Sequence, residues 1–182
     1  MKVVSDRISI LKKDDLLSIV ILPTTDQKKT FLLFLWLFAW SVCGVIVLFN
    51  YKQLVQQDAK IFVIVYLAFW LYYEFKIARA FIWKKWGKEK IWLKSGKLNY
   101  QREVNQKGKI NEYELNLLDE LKLIEISTGS FSDFFNQSFW VKGGERIEFK
   151  YLDKFIRFGM QINTEEARIL LSEIKQYLQK SK

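Results

Sequence analysis

The apolar residues of this chain are concentrated in two long runs within its first half. Residues 31–49 form the first run, nineteen positions without a charged residue, Asn, Gln or Pro. As a helix this run spans about 28 Å, close to the ~30 Å thickness of the hydrocarbon core of a bilayer. A helix in a soluble core is rarely apolar on every face, so the run predicts a transmembrane helix. The thirty residues before it contain four acidic side chains, which is atypical of a cleaved signal peptide.

The second run, residues 61–82, predicts a second span with charges near its end. Residues 61–73 are uncharged, about 20 Å of helix at 1.5 Å per residue, and Glu74, Lys76 and Arg79 follow. Long basic side chains near a helix end reach the interface, and an ionisable group at membrane depth is a functional candidate. Glu74 therefore either has a role within the membrane or forms an interfacial ion pair with Lys76 or Arg79. A re-entrant or surface-lying helix is the alternative for the whole run.

The distribution of basic residues predicts the orientation of this hairpin. The connector, residues 50–60, holds two Lys, whereas residues 1–30 hold six basic side chains and residues 76–94 hold seven. Lys and Arg are enriched in cytoplasmic loops. We therefore expect the hairpin in the inner membrane, with both termini in the cytoplasm.

The net charge of +9 is concentrated beside the predicted membrane helices. Residues 83–95, the basic collar, contain five basic and one acidic side chain, whereas residues 96–182 contain fourteen and thirteen. A nearly neutral domain lacks the footprint of a nucleic-acid binder, and a basic collar is attracted to anionic lipid headgroups. A simple topology signal is the alternative role of the collar. The lipid-surface candidates are Trp83, Lys84, Lys85, Trp86, Lys88, Lys90 and Lys94.

The residue types present exclude several kinds of chemistry. The chain has one Cys and no His. An intrachain disulfide, a His-based catalytic triad and the usual zinc sites are therefore excluded. No carboxylate pair or P-loop spacing stands out, so we expect no enzymatic activity, metal, cofactor or small-molecule substrate.

After residue 86 the apolar pattern changes from continuous to alternating. Residues 89–94 and 97–103 alternate around a Ser95-Gly96 turn, and five further short strands follow up to residue 162. Asn163 and Glu166 then form a capping-box pattern ahead of a one-sided amphipathic helix. The predicted fold is α+β: a two-helix transmembrane hairpin, then a seven-stranded antiparallel barrel or sandwich capped by a C-terminal α-helix.

Several short motifs follow the order of these elements: Gly96-x-Leu98-x-Tyr100, Tyr113-x-Leu115, Ile147-x-Phe149, Arg157-Phe158-Gly159 and Glu165-Glu166-Ala167. Together with the two membrane helices, they make residues 31 to about 180 resemble the bacterial membrane-anchored PH-like domain proteins of the YcxB-like kind. This resemblance implies a PH-like fold that binds or scaffolds at the membrane and performs no catalysis. Tyr100 stands where a basic residue beside Arg102 is expected in phosphoinositide-binding PH domains, so we expect no specific phosphoinositide recognition.

Four segments are predicted along the chain. Residues 1–30 form a cytoplasmic N-terminal segment, residues 31–82 the hairpin, residues 83–95 the basic juxtamembrane segment and residues 89–182 the PH-like domain. Residues 1–30 contain two apolar stretches around a polar turn, which need cover. We expect them to pack on the PH-like domain or on the membrane surface.

One long loop, residues 128–138, contains Phe131, Phe134 and Phe135 among polar residues. Exposed aromatic side chains mark partner contacts, and packing into the end of the barrel is the alternative. The predicted function is a non-enzymatic inner-membrane protein that presents a cytoplasmic PH-like domain for protein-partner binding or scaffolding. The alternatives are an anionic-lipid sensor that uses the basic collar, and an accessory subunit of a membrane transport complex.

Overall fold

The computed structural model describes residues 2–23, 26–124 and 142–180. Within them the helices are α1 (Gln27–Asn50), α2 (Gln57–Trp86) and α3 (Thr164–Lys180), with a 3-10 turn at Tyr51–Gln53. The strands are β1 (Lys2–Ser5), β2 (Ile8–Lys13), β3 (Leu16–Ile21), β4 (Gly87–Lys94), β5 (Lys97–Val104), β6 (Ile110–Glu114), β7 (Leu118–Leu123), β8 (Glu145–Tyr151) and β9 (Lys154–Met160). The predicted order of two long apolar helices, antiparallel strands and a C-terminal helix is confirmed.

The two apolar helices, α1 and α2, pack as an antiparallel hairpin. Near the domain, the ring centroids of Phe34 and Phe81 lie 5.8 Å apart. Farther along the hairpin, the indole Nε1–H of Trp70 donates to the carbonyl of Trp40 over 3.1 Å. This close packing depends on Gly44, because a Cβ at that position would lie 1.9 Å from the Trp70 ring. A larger side chain there would force the helices apart.

Many apolar side chains of α1 and α2 are exposed. Phe49 is 78% exposed, Phe62 72% and Phe69 63%. Both helices are long and apolar enough to cross a membrane. Because an apolar surface of this extent is unfavourable in water, these helices need lipid or protein around them. Length, composition and exposure therefore suggest membrane insertion, and the direction of insertion stays a prediction.

The described strands form two antiparallel sheets, and they do not close into a barrel, which was one of the two predicted arrangements. The six-stranded sheet has the order β1-β2-β3-β4-β5-β6, and the three-stranded sheet has the order β7-β8-β9. The chain changes sheets at the 3-10 turn Leu115–Leu117, so β6 and β7 do not pair. The hairpin predicted around Ser95-Gly96 is confirmed by the continuous pairing of β4 with β5.

Three strands of the six-stranded sheet come from the first thirty residues. β2 pairs with β3, and β3 pairs with β4 from Leu16↔Lys94 to Ile21↔Glu89. Burying one large aliphatic side chain is worth roughly 1.5–3 kcal/mol, so several of them hold this segment firmly in the sheet. The buried side chains of the segment are Ile8, Ile10, Leu17, Ile19 and Ile21.

α3 covers a core that both sheets share. Its buried face contains Ala167, Leu170 and Ile174, spaced as on one side of a helix. The predicted capping box is confirmed: the Glu166 N–H donates to Asn163 Oδ1 over 2.7 Å, and the Asn163 N–H donates to Glu166 Oε2 over 2.9 Å. These two hydrogen bonds satisfy backbone N–H groups at the N-terminus of α3.

Candidate functional site at the helix–domain junction

The end of α2 passes directly into β4. Trp86 is the last helical residue, and Gly87 is the first residue of the strand. The Gly87 N–H donates to the Trp83 carbonyl, and the Asn105 N–H donates to the Trp86 carbonyl over 3.2 Å. A Cβ at Gly87 would lie 2.4 Å from the Trp83 carbonyl oxygen, so glycine permits the tight change from helix to strand. No flexible linker separates the hairpin from the domain here.

α1 begins at the same end of the sheet. β3 ends at Ile21, which pairs with Glu89 near the start of β4, and α1 begins at Gln27. The Arg7 side chain fixes this region, because its Nε donates to the Leu22 carbonyl and its Nη1 donates to the Gln161 carbonyl, each over 2.9 Å. α1 therefore follows β3, and α2 precedes β4, at the same end of one sheet.

A cavity of about 680 Å³ lies between the start of α1 and the end of α2. Its apolar wall contains Phe31, Phe34 and Phe81, and its polar wall contains Asp26, Lys84 and Lys85. Residue 31 begins the first apolar run and residue 82 ends the second. The cavity therefore lies at the border between the apolar helices and the polar domain, and we name it the junction cavity.

The two lysines of the junction cavity have different surroundings. Lys84 is 5% exposed, and its ammonium donates to Oε1 of Gln161. Lys85 is exposed, and its Nζ lies 4.6 Å from the Trp86 ring centroid and 5.6 Å from that of Phe81. Cation–π attraction holds an ammonium near such rings. One cation is thus fixed by the domain and the other by the aromatic end of α2.

Asp26 supplies the carboxylate of the junction cavity and caps α1. Its Oδ1 accepts the Lys29 N–H over 3.0 Å, and its Oδ2 lies 3.4 Å from the Lys29 ammonium. The hydrogen bond from the Lys29 backbone lowers the pKa of the Asp26 carboxyl. Asp26 is therefore ionised at neutral pH, and the cavity wall has two cations and one anion.

Two lysines of the basic collar are neutralised within the sheet. Glu103 is 3% exposed, and its carboxylate contacts both Lys88, at 2.9 Å, and Lys90. The hydrogen bond from Lys90 lowers the pKa of the Glu103 carboxyl and outweighs the opposite effect of burial. The register of β4 and β5 brings these groups together, since Lys88 pairs directly with Glu103.

The other members of the basic collar are not on one surface. Trp83 is 3% exposed, with the Lys142 ammonium 4.2 Å from its ring centroid. Trp86 is 43% exposed beside the cavity. Lys94 is exposed, but it lies seven positions along β4 from Gly87, about 23 Å at 3.3 Å per residue. Lys85 and Trp86 are therefore the exposed collar residues close to the end of α2.

A buried carboxylate that the sequence analysis did not single out joins the two sheets. Glu89 is 1% exposed. Its Oε2 accepts the N–H groups of Gly159 and Met160, over 2.9 Å and 3.0 Å. Its Oε1 accepts the Tyr100 hydroxyl over 2.6 Å and Arg102 Nε over 3.2 Å. The positive φ of 77° at Gly159 belongs to a conformation that glycine adopts without strain.

Arg102 makes further contacts within the same cluster. Arg102 Nη2 also donates to Glu145 Oε1 over 2.8 Å and to the Arg157 carbonyl over 3.2 Å. Burial, followed by the nearby Glu89 carboxylate, raises the pKa of the Tyr100 hydroxyl, which stays protonated. These internal bonds give the cluster a structural role. In the part of the chain that the structure describes, no group of three or more His, Cys, Asp or Glu side chains could hold a metal ion.

The predicted intramembrane polar residues lie on different faces of α2. The Ser41 hydroxyl of α1 is 2.6 Å from Glu74 Oε1, a partner within the hairpin. Lys76 lies over the Tyr72 ring and Arg79 over the Phe75 ring, each 5.4 Å from the centroid. Among the described residues, neither Lys76 nor Arg79 forms an ion pair with Glu74. A hydrogen bond between the two helices therefore replaces the ion pair that the sequence left open.

The candidate partner-binding residues Phe131, Phe134 and Phe135 lie outside the described residues. The described domain has two strongly exposed apolar side chains at the β8–β9 hairpin, Leu152 at 61% and Phe155 at 53%. We name these two residues the distal pair. Leu152 lies in the turn between the two strands, and Phe155 alternates with the inward-facing Ile156 and Phe158 of β9.

The distal pair lies at the end of the domain opposite the helices. The β4–β5 turn is at the far end of β4 from α2. The Leu115 N–H donates to the carbonyl of Gly96 in that turn over 2.9 Å. Three residues later, Leu118 pairs with Tyr151, beside the β8–β9 turn. The β8–β9 turn is therefore close to the β4–β5 turn.

Comparisons with family models, with curated proteins and with solved structures find no match to this chain. They identify no family, so the resemblance to membrane-anchored PH-like domain proteins is supported only by the order of helices, sheets and C-terminal helix.

Proposed function

We propose that this chain is a non-enzymatic inner-membrane protein that presents a cytoplasmic PH-like domain to a protein partner. The observation that carries the proposal is that α2 passes directly into β4, and that β4 pairs with β3, the strand that precedes α1 in the chain. A domain attached in this way keeps a fixed orientation to the bilayer. Fixed presentation is useful to a scaffold, which must offer the same surface to its partner in every copy.

The partner surface that we propose includes the distal pair, because it is apolar, exposed and remote from the helices. Isolated exposed apolar residues are common, but aromatic side chains such as Phe155 are enriched at protein–protein interfaces. Phe131, Phe134 and Phe135 are a second proposed contact, separate from the distal pair, because Lys142, the described residue that follows their segment, lies over the Trp83 ring at the end of α2.

Site-specific photocrosslinking in cells, followed by mass spectrometry, tests the proposal. A photoreactive residue at Lys154, between the distal pair, should give a defined crosslinked protein in the otherwise wild-type chain. The double substitution Leu152→Ser and Phe155→Ser should reduce the yield of that product at least about tenfold, as expected for an interface anchor. Ile169→Ser, on the exposed side of α3, is the matched control and should leave the yield unchanged.

Equal yields from the double variant and the control would remove the distal pair from the proposed surface. The triple substitution of Phe131, Phe134 and Phe135 to Ser then tests the loop separately. Loss of the product in neither variant, or no specific product at all, contradicts partner binding by this surface.

The alternative function, an anionic-lipid sensor that uses the whole basic collar, is less well supported. Two of its lysines contact Glu103, and Lys94 is remote from α2. A role as an accessory transport subunit stays a prediction.

A further inference from the structure

We propose that the junction cavity binds the headgroup of one anionic phospholipid. This inference rests on the membrane insertion contained in the proposed function, but it does not depend on a protein partner. The lipid phosphate would lie near Lys84 and Lys85, and the upper part of its acyl chains would lie against Phe31, Phe34 and Phe81.

The position of the cavity favours a lipid as its occupant. The apolar run of α1 begins at residue 31 and that of α2 ends at residue 82. In a membrane-inserted hairpin both residues are at the edge of the hydrocarbon core, where phospholipid headgroups lie. A volume of about 680 Å³ is within the range of small-molecule sites.

The two walls of the cavity match the two parts of a phospholipid. Phe31 is 62% exposed and Phe34 is 46% exposed, so their rings offer apolar surface on the bilayer side. On the domain side, Lys84 is fixed by Gln161, and Lys85 is held over the Trp86 ring. An aromatic and apolar wall below a cationic wall is suited to an amphiphile with a phosphate at its polar end.

The charges of the cavity favour an anionic over a zwitterionic lipid. Lys84 and Lys85 outnumber Asp26, so the wall has a net charge of +1. A single phosphodiester with an uncharged polyol balances this charge, whereas a choline headgroup adds a cation next to the two lysines. The structure therefore favours a glycerol-type headgroup.

Lipid retention in native mass spectrometry tests this inference. The full chain, purified in mild detergent, is mixed with equal amounts of phosphatidylglycerol and phosphatidylcholine that have the same acyl chains. The wild type should retain one phosphatidylglycerol in preference to phosphatidylcholine. The double variant Lys84→Gln and Lys85→Gln should retain about tenfold less phosphatidylglycerol and lose the preference, as expected when charge-assisted hydrogen bonds to phosphate are removed.

Two further variants keep the test decisive. Lys107→Gln with Lys109→Gln removes the same charge from exposed positions between β5 and β6 and should retain the lipid as the wild type does. Lys85→Gln alone removes an exposed cation without disturbing the buried Lys84, and it should weaken retention several-fold. This single variant decides the result if the double variant fails to fold.

Equal retention of both lipids by the wild type, or equal loss in the cavity and control variants, would overturn the inference. Carbonate extraction of cell membranes separates this failure from that of the proposed function. If the wild type stays in the membrane pellet, insertion holds, and a failed retention experiment rejects only the lipid site. Release of the wild type by carbonate rejects insertion and the lipid site together.

Discussion

At the residue scale, two buried acidic side chains, Glu89 and Glu103, connect strands of the domain. The Glu89 carboxylate accepts hydrogen bonds from both sheets. The Glu103 carboxylate forms ion pairs with two lysines of the six-stranded sheet, Lys88 and Lys90. A buried carboxylate with four donors costs little as long as every donor remains. Removing the Glu89 carboxylate leaves its donors buried without an acceptor, and each unsatisfied donor lowers the stability of the fold.

Replacement of Glu89 by Ala should lower the free energy of unfolding of the domain by about 3–5 kcal/mol, because a buried charge network loses its centre. Thermal and denaturant unfolding in detergent measure the change. Glu112→Ala is the matched control, since Glu112 forms an exposed ion pair with Lys97, and such pairs contribute at most about 1 kcal/mol. Equal effects of the two substitutions would show that the Glu89 contacts do not join the sheets.

The pH dependence of stability reports on Glu103. Its folded-state pKa is lowered from the ordinary value of 4.5, so its stabilising effect is present above that value and is lost as the pH falls through the folded pKa. The Glu103→Gln variant should melt a few degrees below the wild type at pH 7, and the two melting temperatures should converge at acid pH. A difference that stays constant from pH 7 to pH 3 contradicts the assignment.

At the element scale, the sequence predicted the elements better than their pairing. The β4–β5 hairpin follows from alternation around Ser95-Gly96, and the start of α3 follows from Asn163 and Glu166, since these signals are local. The pairing of β3 with β4 joins residues about seventy positions apart across the helical hairpin, and no local pattern specifies it.

The sequence analysis missed two features of the site, the contacts of Lys88 and Lys90 and the burial of Glu89. Lys88 and Lys90 counted as part of a basic surface, because their contact with Glu103 depends on the β4–β5 register. Glu89 lies two positions before Ile91 and four before Leu93, so it is on the same buried face of β4 as they are. That alternation was the one sequence signal that could have indicated a buried carboxylate.

The pairing of β3 with β4 can be tested at Ile19, which is fully buried opposite Ile91. If the N-terminal strands share the core of the domain, Ile19→Ala should lower the free energy of unfolding by about 2–5 kcal/mol. Val3→Ala, at a position that is 65% exposed, should have little effect. A domain that unfolds at the same temperature with either substitution would show that the N-terminal segment folds separately.

At the scale of the whole molecule, the charge of +9 has a more limited meaning than the composition suggests. Part of the basic collar is neutralised in the sheet, and its exposed cations near α2 belong to the junction cavity. α2 continues directly into β4, which pairs with β3, so the direction of an inserted hairpin would determine on which side of the membrane the domain lies.

The central claim of our proposal is that the hairpin crosses the membrane and holds the domain in the cytoplasm. The labelling of single cysteines in intact bacterial cells tests this claim most directly. In a Cys43→Ser background, Val55→Cys places a thiol in the connector, where Val55 is 92% exposed, and Asn116→Cys places one in the domain. A membrane-impermeant maleimide should label the connector thiol in intact cells, and the domain thiol only after permeabilisation. Labelling of the domain thiol in intact cells, or protection of the connector thiol until the cells are permeabilised, would contradict a hairpin that crosses the membrane and holds the domain in the cytoplasm.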